Sequence, residues 1–127
     1  MKLGYTLFYV DDVSKTMSFY EKAFGLKKGF SHENQYGEMI TGETKLGFVN
    51  HETASSHGFE YQKANLQDKP SAFEIGFVTQ DVEAAFNTAV NAGAIAVSNP
   101  KTKPWGQVVS YVRDCNGFLV EICSPMG

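Results

Sequence analysis

The chain has 127 residues, with eleven Lys and Arg against fourteen Asp and Glu, for a formal net charge of −3. That length fits one domain or two small fused modules, large enough to bury a core without staples. Apolar residues make up 43% and charged residues 20%, ordinary usage that excludes disorder and collagen-like architecture. An acidic balance lacks the basic face that counterion release needs, so nucleic acid is not an expected partner. No run of about 18 apolar residues exists, so no membrane partner is expected either. Met1 to Tyr5 lead straight into a strand-like pattern without the apolar run of a signal peptide. Cys115 and Cys123 lie too far apart along an extended strand to bond, and reduced thiols in the cytoplasm are expected.

Residues 3–10 are rich in β-branched and aromatic types and read as a strand buried on both faces. Ser14 is a candidate N-cap. Val13, Met17, Tyr20 and Phe24 follow at helical spacing, and Gly25 ends the helix. Strands are predicted near 27–33, 36–42 and 45–50. The stretch 51–71 is polar and patternless and reads as a long connection. The pattern then restarts with a strand over 72–79. Asp81 caps a helix with an apolar face of Val82, Ala85, Phe86, Ala89 and Val90, ended by Gly93. Strands near 94–98, 107–113 and 118–123 close the chain, with Asn116-Gly117 as a hairpin turn.

The order is therefore βαβββ twice: one module at about 1–50, a linker at about 51–71, and a second module at about 72–127. A shift of 69 lays Tyr5 on Glu74, Phe8 on Phe77 and Asp12 on Asp81. A shift of 74 lays Leu46-Gly47-Phe48 on Val120-Glu121-Ile122. Strand alternation puts Phe73, Ile75, Phe77, Val120 and Ile122 under the second helix. Glu74, Gly76, Val78, Leu119, Glu121 and Cys123 then face away, as do Tyr5, Leu7 and Tyr9 in the first module. Curved sheets facing one another would enclose a cleft lined by these residues. Glu74 and Glu121 are charged residues in otherwise apolar strands. They imply either a wet or ligand-filled pocket, or ordinary partners at a sheet end.

Three segments carry a family resemblance: Val10-Asp11-Asp12-Val13 through Ser18-Phe19-Tyr20 to Phe24-Gly25-Leu26, the stretch Glu74 to Gly93, and Pro104-Trp105-Gly106-Gln107 through Asp114-Cys115-Asn116-Gly117 to Glu121-Ile122. On these the chain resembles the vicinal-oxygen-chelate superfamily of glyoxalase I, bleomycin-resistance proteins and extradiol dioxygenases. The resemblance implies an α+β fold of paired βαβββ modules, with curved mixed sheets around a cleft. Metal-dependent members place up to four ligands at positions that fall here on Tyr5, Gly47, Glu74 and Glu121. Tyr5 is a poor ligand and Gly47 is none. No resident cofactor is therefore expected, beyond a divalent metal held weakly by Glu74 and Glu121. His32, His51 and His57 miss the matched positions, with His51 nearest, four residues past Gly47.

Metal-free members hold planar compounds between aromatic rings. Tyr5, Tyr9, Trp105 and Tyr111 supply rings here, Leu7 adds apolar surface, and Glu38, Glu74 and Glu121 favour positive charge on the ligand. The expected function is small-molecule binding, by a homodimer on the pattern of short family members. One alternative is a glyoxalase-like lyase or dioxygenase with an atypical metal site, in which Glu121 is a ligand and Glu74 a ligand or base. Another is a cofactor-free isomerase with Glu74 as catalytic base, Glu121 beside it and a Tyr hydroxyl as electrophile.

Overall fold

The computed structural model describes residues 1–126 and divides into two compact units, Met1–Ala64 and Asn65 onward. The first unit runs β1 (Tyr5–Val10), α1 (Val13–Phe24), β2 (Lys27–His32), β3 (Tyr36–Ile40), β4 (Lys45–Asn50) and α2 (His51–Ser55). Its sheet has the order β1-β4-β3-β2, with β1 parallel to β4 and the other pairs antiparallel. The second unit repeats the plan: β5 (Glu74–Val78), α3 (Val82–Asn91), β6 (Ile95–Thr102), β7 (Val108–Arg113) and β8 (Leu119–Cys123), in the order β5-β8-β7-β6. Each sheet is mixed, with one parallel pair. The α+β fold of paired βαβββ modules is thus realised.

Each helix is pinned to its sheet by its apolar stripe. On α1, Val13, Met17, Tyr20 and Ala23 are buried against Phe8, Val10, Met39, Leu46 and Phe48. The Tyr20 and Phe48 rings lie 4.8 Å apart. Gly37 lets the helix approach β3: a Cβ there would collide with Met17 Sδ. On α3, Val82, Phe86 and Ala89 are buried. Val112, Val120 and Ile122 supply the buried face of its sheet. An aspartate starts both helices: Lys15 N donates to Asp12 Oδ1 at 3.1 Å and Ala84 N to Asp81 Oδ1 at 3.1 Å. Gly25 ends α1 with φ 69°, in the left-handed region.

Five expectations are corrected. Asp12, not Ser14, caps α1, because Asp12 holds the extended backbone that aims its carboxylate at the free amides, while Ser14 N is already taken by Asn34 Oδ1 at 2.7 Å. β1 is buried on one face only. It is the end strand of its sheet, so Phe8 and Val10 are covered while Tyr5 is 58% and Leu7 43% exposed. The stretch 51–71 is not patternless: α2 occupies its start, with Thr53 N donating to Asn50 Oδ1 at 2.8 Å and Ala54 fully buried. β6 also outruns its expected end at 98, since breaks of register near Ser98 let its pairing with β7 resume as far as Thr102. Phe73 precedes β5 and is 57% exposed, so it is not under the helix.

Among the described residues no helix is long and apolar enough to cross a membrane. Cys115 and Cys123 are both thiols.

Candidate functional site

In each unit a row of three residues crosses the sheet face turned away from the helix. In the first unit, register aligns Leu7, Gly47 and Glu38 across β1, β4 and β3. In the second it aligns Gly76, Glu121 and Tyr111 across β5, β8 and β7. The rows are equivalent in topology and opposite in content. Where the first unit has a large residue on its first strand, the second has a glycine. Where the first has a glycine on its last strand, the second has an acid.

The first-unit row is filled. A Cβ on Gly47 would meet Leu7 Cδ2 at 2.7 Å and Tyr36 Oη at 3.0 Å, so those two side chains occupy the space of any ligand there. The Tyr36 hydroxyl donates to Glu38 Oε2 at 2.6 Å, and Lys45 Nζ lies 3.6 Å from Glu38 Oε1. The Glu38 side chain is only 13% exposed. Burial, then the hydrogen bond to Glu38 and its charge, push the Tyr36 phenol far above its ordinary range, so it stays a neutral donor. Tyr5 stands exposed at the edge. Tyr9 is packed by the segment after α2, its ring 4.9 Å from Tyr61 and 6.2 Å from Phe59. His51 is held in the same place, with Nδ1 2.7 Å from Tyr61 Oη and Nε2 3.2 Å from Asp11 Oδ1. Withdrawal from water lowers its pKa, against the pull of Asp11.

The second-unit row is open. Glu74 lies one diagonal step from Glu121 on the neighbouring strand. Partial withdrawal from water, then the nearness and charge of Glu121, raise the Glu74 pKa, while the Tyr111 phenol opposes the rise. The Tyr111 phenol is raised by burial and by both acids. The Cys123 thiol is raised by burial and by Glu121, which keeps it protonated and a poor nucleophile.

Beside these groups lies a hollow of about 590 Å³, lined by Val78, Trp105, Val109, Tyr111, Glu121 and Met126 among others. Lys103, Gly76 and Gln107 also border it. Trp105 is 63% exposed, yet its ring is fixed: Nε1 donates to Gln107 Oε1 at 2.8 Å, and Gln107 Nε2 donates to the Ser124 carbonyl at 2.9 Å.

The sequence-predicted residues thus fall into two groups. Glu74, Glu121 and Tyr111 come together, with Trp105 and Glu121 on one hollow. Tyr5, Leu7, Tyr9 and Glu38 belong to the first unit's sheet. Tyr36 and Gln107 were not anticipated as site residues, whereas Gly76 was placed on the cleft face by strand alternation. Tyr36 had a signal, since it sits two residues before Glu38 on one strand and therefore on the same face. Gln107 had none: Trp105 is two residues away, but the Ser124 carbonyl that orients the Gln107 amide is distant in sequence.

Of the four family ligand positions, Tyr5 is an exposed phenol, Gly47 offers no side chain and no space, and only Glu74 and Glu121, one diagonal step apart, carry carboxyl groups. Among the described residues no three His, Cys, Asp or Glu side chains group as metal ligands. This donor set does not fit a resident divalent metal.

The sequence pattern of the glyoxalase-like domain family matches residues 3–127. The chain belongs to that family. With it comes membership of the vicinal-oxygen-chelate superfamily, whose fold recurs in its structural neighbours. A glyoxalase-related enzyme from Fulvimarina pelagi superposes with a TM-score of 0.85 at 16% identity, over 98% of this chain and 88% of that one. A glyoxalase/bleomycin resistance protein/dioxygenase family enzyme from Burkholderia phytofirmans gives 0.79 at 19%, over 98% of both. In sequence, this glyoxalase-like chain is 28% identical to protein YraH of Bacillus subtilis, over 96% of its own length and 97% of that protein's.

Proposed function

We propose that this glyoxalase-like chain binds a small, largely apolar organic molecule without a resident metal, in the hollow of its second unit. The observation that carries the reading is the fixed Trp105 ring beside Tyr111 and Glu121 on that hollow. Apolar walls with a few convergent polar groups are what a small-molecule site needs, and an indole already locked in place loses little entropy on stacking. The blocked position at Gly47 supports the metal-free part. The two thiols fit a reducing, cytoplasmic setting, and a homodimer follows the habit of short family members.

Trp105 is the single tryptophan, so its fluorescence reports the site directly. Planar aromatic compounds should quench it saturably, and Trp105→Ala should weaken their binding about tenfold in calorimetry. Protein purified with one tightly held Ni²⁺, Zn²⁺ or Fe²⁺ per chain would overturn the metal-free reading.

A second reading has its own observation. Glu74 carries a raised pKa and lies close enough to the Tyr111 phenol for each to shift the other, which puts a base near a proton donor. A cofactor-free isomerase would use them to move a proton at a carbon next to a carbonyl. Deuterium exchange from solvent into a carbonyl substrate, lost in Glu74→Gln, would favour this reading over simple binding.

A further inference from the structure

The centre of β5 holds a glycine that the fold does not require. Apart from Gly4 in the lead-in to β1, the other described glycines have structural reasons. Gly25 and Gly117 carry φ of 69° and 101°, and a Cβ on Gly37 or Gly47 would collide with packed side chains. Gly76 has neither reason. It is absent from the positive-φ glycines, and a Cβ there would meet only Glu121, with Oε1 at 3.7 Å and Cβ at 3.9 Å, which is ordinary contact. Glycine is disfavoured inside a strand, and there it often marks close approach of a ligand to the backbone. Gly76 borders the hollow with Trp105, Tyr111 and Glu121. Its counterpart in the first unit's row is Leu7, whose side chain fills the space over Gly47. The second unit leaves the matching space open.

Building on the small-molecule reading above, we infer that Gly76 determines which ligands the hollow accepts. The ligand lies flat over the β5 backbone at Gly76 and turns an N–H donor toward Glu121 Oε1. The class is a planar, largely apolar molecule with a nitrogen donor on one edge. The missing side chain at Gly76 gives it thickness, and the carboxyl beside it selects the donor.

The test pairs stability with binding. Gly76→Ala and Gly76→Val should melt at or above the wild-type temperature, because no backbone or packing demand opposes them. Both are then titrated at neutral pH with 3-aminoquinoline and with 3-methylquinoline, which has the same shape and charge but no donor, following amide shifts by NMR. The wild type should prefer the amine. Gly76→Val should weaken its binding about tenfold, a magnitude typical of a small steric change in a binding pocket. Glu121→Gln should bring the two affinities together. Binding of 3-aminoquinoline to Gly76→Val with wild-type affinity would overturn the inference and leave the binding reading standing. A lower melting temperature for Gly76→Ala would overturn it independently, since the fold would then explain the glycine. A wild type that binds neither quinoline nor any other planar aromatic would remove the binding reading itself, and the inference with it.

Discussion

Gly47 shows how a single residue decides the chemistry of a sheet face. With no side chain there, Tyr36 and Leu7 close over β4 and Tyr36 reaches Glu38. Gly47→Ala should therefore destabilise the fold by about 1–3 kcal/mol through overpacking, measured as a shift in denaturant midpoint. Glu74 makes a second prediction, about pH. Its pKa is raised in the folded state, so the protonated form favours folding. That contribution is fully present below the unfolded carboxyl pKa and is lost as pH rises through the folded value. Glu74→Gln keeps the partners and removes the titration. Midpoints measured at intervals from acid to neutral pH should show wild type falling relative to Glu74→Gln, with the gap opening upward in pH. A constant gap would refute the raised Glu74 pKa.

At the scale of elements, the two helices begin in the same way. Asp12 and Asp81 each accept from the amide three residues on, and each starts a helix whose buried stripe faces its own sheet. Asp81→Ala should cost about 1 kcal/mol, the usual worth of an N-cap, in thermal or chemical unfolding. Ser14→Ala should be close to silent by comparison, because the Ser14 contact that matters is made by its backbone amide. The two long helices and the strand count could be read from the sequence, since periodicity is local. The one-sided burial of β1 could not be read. Its aromatic, β-branched letters suit a fully buried strand, and only its place at the sheet edge exposes Tyr5 and Leu7. The helix at the start of 51–71 was missed because five residues are too short to show a period.

For the molecule as a whole, two copies of one plan have taken different uses. One unit has a filled row ending in Glu38, and the other an open row with Gly76, Glu121 and Tyr111. A ligand that binds only the folded state raises its melting temperature by mass action. With a donor set that does not fit a metal, treatment with EDTA should leave the melting temperature unchanged, and added Zn²⁺ should not raise it. A clear rise with Zn²⁺ would contradict the reading of Tyr5 and Gly47 as non-ligands.

The sequence by itself determined the duplication, the apolar faces of the two long helices, the Asp81 cap, the outward sense of Glu74 and Glu121, and the lack of a side chain at Gly47. These follow from side-chain period and from residue chemistry, which need only near neighbours along the chain. The tertiary structure decided which residues meet: Glu38 opposite Gly47, Tyr111 opposite Glu121, Gln107 against the Ser124 carbonyl, and Tyr61 against Tyr9 and His51. Those meetings depend on strand register and on loops folding back. A one-residue slip of register changes every such pair while leaving each segment's own letters the same.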